Sequence, residues 1–157
     1  MNRKEREVKD TFDIIDILKR CNTIRLGLIN EGKPYVVPVS FGLDIVDKKA
    51  VVYFHGAATG LKTECIAQNN HVCIESDIFY KVGTTKIGIT ARYESVIGTG
   101  IVSKVEGDEK IHGLRKLVEH YGYYDYPIDR CKGLDYTAVY KIVLSELTGK
   151  RNLENNH

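Results

Sequence analysis

The sequence predicts an α+β fold: a mostly antiparallel sheet closed into a small barrel, with helices on its outside. Three observations carry this expectation. Apolar residues alternate with a period of two in several segments joined by tight turns. Helical spacing is confined to three places, and strands and helices do not alternate regularly, as a doubly wound parallel sheet would require. The 157 residues contain no Pro/Gly/Ser-rich or single-sign interruption, so one domain is expected over 1–157, with its core at about 10–150 and a loose tail at 153–157.

The first helix is announced by Asp10-Thr11, a capping residue followed by Phe12, Ile14, Ile15, Ile17 and Leu18 at helical spacing, and it should end near Cys21-Asn22. The period then changes. Ile24, Leu26 and Leu28 alternate with Arg25 and Gly27, and Glu31-Gly32-Lys33-Pro34 is a turn before a second strand over 35–41. Pro38 has no N–H for a ladder and belongs at a bulge, a sheet edge or a barrel corner. Asp47-Lys48-Lys49 forms the next turn and leads into a buried strand from Val51. Thr59 is placed to cap a short helix reaching about Asn69-Asn70. A strand over 71–79 follows, and 87–105 is long enough for one or two more, separated by a bend around Gly98-Thr99-Gly100. Asp108 is the expected cap of a second amphipathic helix, with Ile111, Leu114, Leu117, Val118 and Tyr121 on one face. Ala138, Tyr140, Ile142 and Leu144 alternate in a last strand.

Composition excludes several classes. Hydrophobic residues at 43% and charged residues at 28% argue against disorder and against a fibrous protein. A net charge of +2 is far from the concentrated basic field that nucleic acid requires, so no nucleic-acid partner is expected. No run approaches the roughly 18 apolar residues of a membrane span, and residues 1–7 lack a signal-peptide core; a cytoplasmic protein without a membrane partner is the expectation. Cys21, Cys65, Cys73 and Cys131 form no CxxC pair and read as reduced thiols. His71 with Cys73 lacks a third ligand at a standard spacing, so no metal site is expected.

The most informative stretch is VVYFHGAATGLKTECI, residues 51–66, which opens as a strand and closes as a helix with small residues between. Bulk is removed where a backbone would approach something closely, and Lys62 falls in the first helical turn, where the helix dipole disfavours a cation by a few tenths of a kcal/mol. A bound anion would turn that liability into an attraction, so the stretch reads as a phosphate seat; a solvated surface lysine is the competing reading. A P-loop is excluded by spacing, because GxxxxGK[ST] is not met by Gly60-Leu61-Lys62-Thr63. GxGxxG is absent too, since Gly98-Thr99-Gly100 has no third glycine. His55, directly before the small-residue bend, is either an acid–base or ligand group or a hydrogen-bonded strand residue. The tyrosines between 121 and 126 read as helix-to-loop packing or a dimer interface more readily than as a stacking platform. No nucleophile elbow or oxyanion loop supports hydrolytic triad chemistry.

Three segments, KPYVVPVSFGLD, VVYFHGAATGLKTECIAQNNHVCIE and ARYESVIGTGIVSKVEGDEKIHGLRKLVEHY, come in an order and spacing that resembles the pyridoxamine 5'-phosphate oxidase-like flavoprotein superfamily, most of all its nitroimidazole-resistance (Nim-like) branch. The resemblance covers about residues 10–150. It implies a split β-barrel, a homodimer, and one FMN at each of two sites between subunits. Carried onto this sequence, Val37, Pro38, Val39 and Ser40 would line the flavin ring and ribityl chain, with His55 and Gly56 beside them. Lys62, preceded by Leu61, would hold the FMN phosphate, Ser95 would add a polar contact, and Arg92 would be a neighbour. Leu61 stands where the oxidase branch carries an arginine, so the resemblance does not extend to vitamin B6 oxidation.

The function implied is an FMN-dependent oxidoreductase that reduces a small aromatic or nitro substrate with electrons from a reduced nicotinamide or similar donor, His55 positioning or protonating that substrate. An isoalloxazine carries the redox chemistry itself, which accounts for the lack of a conspicuous catalytic constellation. The alternatives are a flavin-binding or redox-sensing module without turnover, and a cofactor-free interaction protein that uses the dimer surface.

Overall fold

The structure, a computed structural model, describes residues 3–153. A 3-10 turn and the two-residue strand β1 (Glu7–Val8) precede α1 (Thr11–Arg20). Asp10 caps α1 as expected: its Oδ1 accepts the N–H groups of Phe12 at 2.8 Å and Asp13 at 3.2 Å. Ile14, Ile15, Ile17 and Leu18 bury the apolar stripe. β2 (Ile24–Asn30) and β3 (Lys33–Val39) form the expected hairpin, with Glu31 at φ 49° and Gly32 at φ 78° in a tight turn whose twist matches the strands. β4 (Gly42–Val46) and β5 (Lys49–Ala57) form a second hairpin through Asp47 at φ 50° and Lys48 at φ 65°. The strand β4 was not foreseen. Alternating apolar residues run from 35 to 46 without a turn signal, yet the chain leaves β3 at Ser40 and buries Phe41 completely before pairing resumes.

The remaining elements are α2 (Leu61–Gln68), β6 (His71–Thr85), β7 (Gly88–Val105), α3 (Gly107–His120) and β8 (Thr137–Asn152). Both expected caps shift. Gly60, not Thr59, is the N-cap of α2, at φ 117°, a conformation open to glycine and not to threonine. α3 starts before Asp108, with Glu106 as a cap that makes no side-chain bond, because the chain already turns at Gly107. The 87–105 run holds one strand from Gly88, and in place of the expected bend at Gly98-Thr99-Gly100 there is a bulge: Thr99 pairs with Glu146 and Gly100 with Leu144, so Ser145 is left over. The tail expected at 153–157 lies, apart from Leu153, outside the described residues.

The strands form one antiparallel sheet in the order β3-β2-β6-β7-β8-β5-β4, with β1 added beside β8. The two outer strands of that order, β3 and β4, are consecutive in the chain and joined through Ser40 and Phe41 alone. The sheet therefore curls until its edges meet at one end without pairing, which is a split barrel. Pro34 and Pro38 both lie on the edge strand β3, four residues apart, where no second neighbour needs their missing N–H. Inside are Ile24, Leu26, Val52, Phe54, Ile74, Val96 and Ile142, with α1 packed among them. Period-two alternation sends Tyr53 and Val139 to the outer face, where α3 covers them, Gly113 lying so close that a Cβ there would sit 2.6 Å from Tyr53 Cδ1. β6 and β7 run on beyond their neighbours as a two-stranded arm tipped by Thr85 and Gly88, exposing Phe79, Val82, Ile87 and Ile89. Among the described residues no helix is long and apolar enough to cross a membrane.

Candidate functional site

The end of β5 and the start of α2 bring together three of the expected site residues. Strand pairing carries Phe54, His55 and Gly56 opposite Tyr140, Val139 and Ala138 of β8, and alternation points Phe54 and Gly56 to one face and His55 to the other. Lys62, in the first turn of α2, returns over the Phe54 face: its Nζ lies 5.4 Å from the centre of the Phe54 ring and 3.5 Å from the carbonyl oxygen of His55. Gly56 is what admits it. A Cβ at that position would stand 2.5 Å from Lys62 Nζ, so any larger residue would push the ammonium aside. Thr63 fastens the same turn, its hydroxyl donating to the Ala57 carbonyl at 3.4 Å and receiving the Tyr140 hydroxyl at 3.2 Å.

The electrostatics of this corner are unbalanced. Burial holds the Lys62 amine below the ordinary lysine range, and among the described residues no carboxylate lies within ion-pair distance of it, Glu64 of the same turn included. Its one hydrogen bond, to a backbone carbonyl, is at the limit of length. Gly60 as N-cap has no side chain to satisfy the first-turn N–H groups of α2, which remain available to a ligand beside the ammonium. Burial first, and then the charge of Lys62, lower the pKa of His55, which keeps its imidazole neutral near pH 7.

His55 itself looks the other way. Its imidazole, which has no hydrogen-bond partner among the described residues, lines an open cavity of about 570 Å³ under α3, bordered by the segment from Tyr126 to Thr137. The backbone of His55 thus touches the lysine corner while its ring faces a different space. The other expected contacts are distributed. Leu61 opens α2, half exposed beside Lys62. Val37 and Val39 face inward opposite Leu26 and Ile24, Pro38 faces outward opposite Arg25, and Ser40 follows the end of β3. Ser95 is on the outer sheet face between Asp77 and Lys150. Pro38 and Ser95 share that face through Arg25, whose Nη1 bonds Glu75 at 2.8 Å and Asp77 at 2.6 Å. Arg92 lies at the root of the arm, donating to the Leu153 carbonyl at 3.0 Å with its Nε buried and unpartnered, far along the chain from any contact with Lys62. Among the described residues no hydrogen bond or ion pair joins Val37, Pro38, Val39, Ser40 or Ser95 to Lys62 within the protomer.

Sequence reasoning missed a buried charge cluster. Glu94 is 2% exposed and binds three partners: Arg20 Nη1 at 2.6 Å, Arg151 Nε at 2.5 Å and the Tyr80 hydroxyl at 2.6 Å. Burial pushes its carboxyl up, but Arg20, Tyr80 and Arg151 together outweigh that and hold it at about 2. The four residues come from α1, β6, β7 and β8, so no spacing in the sequence marks them. The tyrosine-rich segment divides as well: the Tyr121 hydroxyl packs by donating to the Asn22 carbonyl at 2.7 Å, Tyr126 lines the cavity, and Tyr123 and Tyr124 are exposed.

Comparison with known proteins fits this architecture. A family model described as pyridoxamine 5'-phosphate oxidase matches residues 10–151. No curated protein matches the chain. Among solved structures, a candidate 5-nitroimidazole antibiotic resistance protein from Bacteroides thetaiotaomicron superposes with a TM-score of 0.79 at 29% identity, over 92% of this chain and 85% of that one. The flavocytochrome Anf3 from Azotobacter vinelandii gives a TM-score of 0.78 at 18% identity, over 98% of this chain and 72% of its own. An FAD and heme binding protein from Mycobacterium smegmatis gives 0.78 at 15% identity, over 97% and 77%. The last two share the fold. With nearly the whole chain matched and the split barrel in place, this chain belongs to the pyridoxamine 5'-phosphate oxidase family.

Proposed function

We propose that this protein binds FMN and acts as an oxidoreductase on a small aromatic or nitro substrate. The observation that carries the proposal is Lys62: a half-buried ammonium with no acid partner among the described residues, set at an uncapped helix N-terminus, in a cradle that a side chain on Gly56 would fill. These residues fit a phosphate monoester. Lys62 and the first-turn N–H groups would each contribute charge-assisted hydrogen bonds of about 1.5–3 kcal/mol. A bound flavin supplies electron exchange between a reduced nicotinamide or similar donor and an acceptor. Relatives of the same fold whose names record FAD or a flavocytochrome support a flavin in this one. His55, neutral and unpartnered, would position the acceptor through a ring hydrogen bond, and would hand it a proton only from the imidazolium form that its lowered pKa disfavours near pH 7.

The same reading makes the working unit a homodimer. Pro38 and Ser95 lie on the outer sheet face, away from Lys62, so a flavin that met all of them would span two copies. That face leaves Ile97, Ile101 and Val36 exposed, and the arm of β6 and β7 is a ribbon that is marginal in water without a partner. The free thiols suit a reducing, cytoplasmic setting.

Fresh protein should show the visible spectrum of oxidised flavin, and the band should bleach when NADPH or NADH is added without oxygen. A spectrum that persists under both donors would leave a flavin-binding module without turnover by this route. Protein that neither carries nor takes up FMN would contradict the proposal. His55→Ala should reduce turnover far more than flavin content, measured by initial rates beside flavin absorbance.

A further inference from the structure

We propose that the cavity beside His55 is a binding site for a small aromatic acid, a planar apolar body ending in a carboxylate. Its volume of about 570 Å³ is in the range that holds one small molecule. Part of its lining is apolar, with Leu117 and Val118 of α3 and the ring of Tyr126. The lining also includes Arg130, Lys132 and the imidazole of His55, and among the described residues no aspartate or glutamate lines the space. Among the described residues neither Arg130 nor Lys132 forms an ion pair; the neighbouring Asp129 is 3.8 Å from Arg115 instead. The ring nitrogens of His55 also lack partners, so the lining offers two cations and a free imidazole beside its hydrocarbon.

That mixture selects its occupant. A neutral hydrocarbon would cover the apolar part and leave the cations with water alone, and a phosphate or inorganic anion would gain nothing from Leu117, Val118 and Tyr126. An aromatic carboxylate satisfies both parts of the lining, with Tyr126 providing an edge or face for ring contact. The cavity opens on the face of β5 opposite the Lys62 corner, so it is not the phosphate seat seen from another side. As a binding site it requires no flavin. As the seat of the electron acceptor it rests on the oxidoreductase reading.

The test is titration of the full-length protein with 4-nitrobenzoate, followed by histidine side-chain NMR, with nitrobenzene as the uncharged counterpart. The expected result is a saturable shift of the His55 ring signals by 4-nitrobenzoate, with nitrobenzene weaker by about tenfold or more. Arg130→Gln combined with Lys132→Gln, both exposed positions that should leave the melting temperature unchanged, is expected to bring 4-nitrobenzoate down to the nitrobenzene level. No saturable shift of His55, equal binding of the two compounds, or affinity unaffected by the double variant would each overturn the proposal. So would competition between FMN and 4-nitrobenzoate, since one site would then serve both. Absence of FMN binding with this titration intact would count against the flavin reading and leave the acid site standing.

Discussion

Two partly buried cationic corners of the barrel are built on opposite principles. At one, Arg20 and Arg151 meet Glu94 with a tyrosine hydroxyl completing the set, and every charge is answered within the protomer. At the other, Lys62 is drawn over Phe54 and against a carbonyl, and no carboxylate of the described chain comes within ion-pair distance. A charge taken from water is tolerated when partners replace the water, so the first arrangement is part of the fold. The second remains uncompensated within the protomer. It is the kind of deficit that an anionic ligand removes.

The sharpest way to break this comparison is to remove the answering charge at the first corner. Glu94→Gln leaves two guanidinium groups facing an amide and should cost about 3–5 kcal/mol, read as a lower urea midpoint with an unchanged slope. Acid does the same gradually. Because Glu94 is held at about 2, below its unfolded value of 4.5, its stabilisation is complete above pH 4.5 and is lost as the pH falls from 4.5 toward 2. The span corresponds to about 3 kcal/mol, to be followed by chemical denaturation across that window, and Glu94→Gln should flatten the profile there.

Lys62→Ala should behave in the contrary manner. Folding stability should hardly change, since no ion pair is lost, while FMN affinity falls by about 1.5–3 kcal/mol, a factor of about 10 to 150 by fluorescence titration. The smallest effect is expected from Gly56→Ala. Its methyl group would displace only the flexible tip of Lys62, so FMN affinity should fall severalfold and the urea midpoint should move by less than about 1 kcal/mol of stability.

The difference between the two corners also marks what a sequence can reveal. The lysine corner is local: Phe54, Gly56, Gly60 and Lys62 lie within nine residues, and a strand, a run of small residues and a helix start are each legible there. The same holds for Asp10, whose capping bonds span two and three residues, and for the two tight turns at Glu31-Gly32 and Asp47-Lys48. The glutamate corner joins residues up to 131 positions apart, from Arg20 to Arg151, and nothing about either arginine by itself marks it as a partner of Glu94. Strand faces were legible only where pairing was also known. His55 directly follows Phe54 toward Lys62 in sequence, yet alternation turns its ring to the cavity under α3, whose other walls come from an irregular segment between Tyr126 and Thr137 with no period to read. Thr59 lost the cap of α2 for a backbone reason, because the entry to that helix needs the positive φ of Gly60.

The claim that Lys62 is the seat of a phosphate is tested most directly by titrating FMN and riboflavin, which differ by that group alone, into the wild type and Lys62→Ala. The wild type should prefer FMN by about tenfold or more, and the variant should bind both flavins with nearly the affinity that the wild type has for riboflavin. A variant that folds normally and still prefers FMN as strongly as the wild type would contradict it.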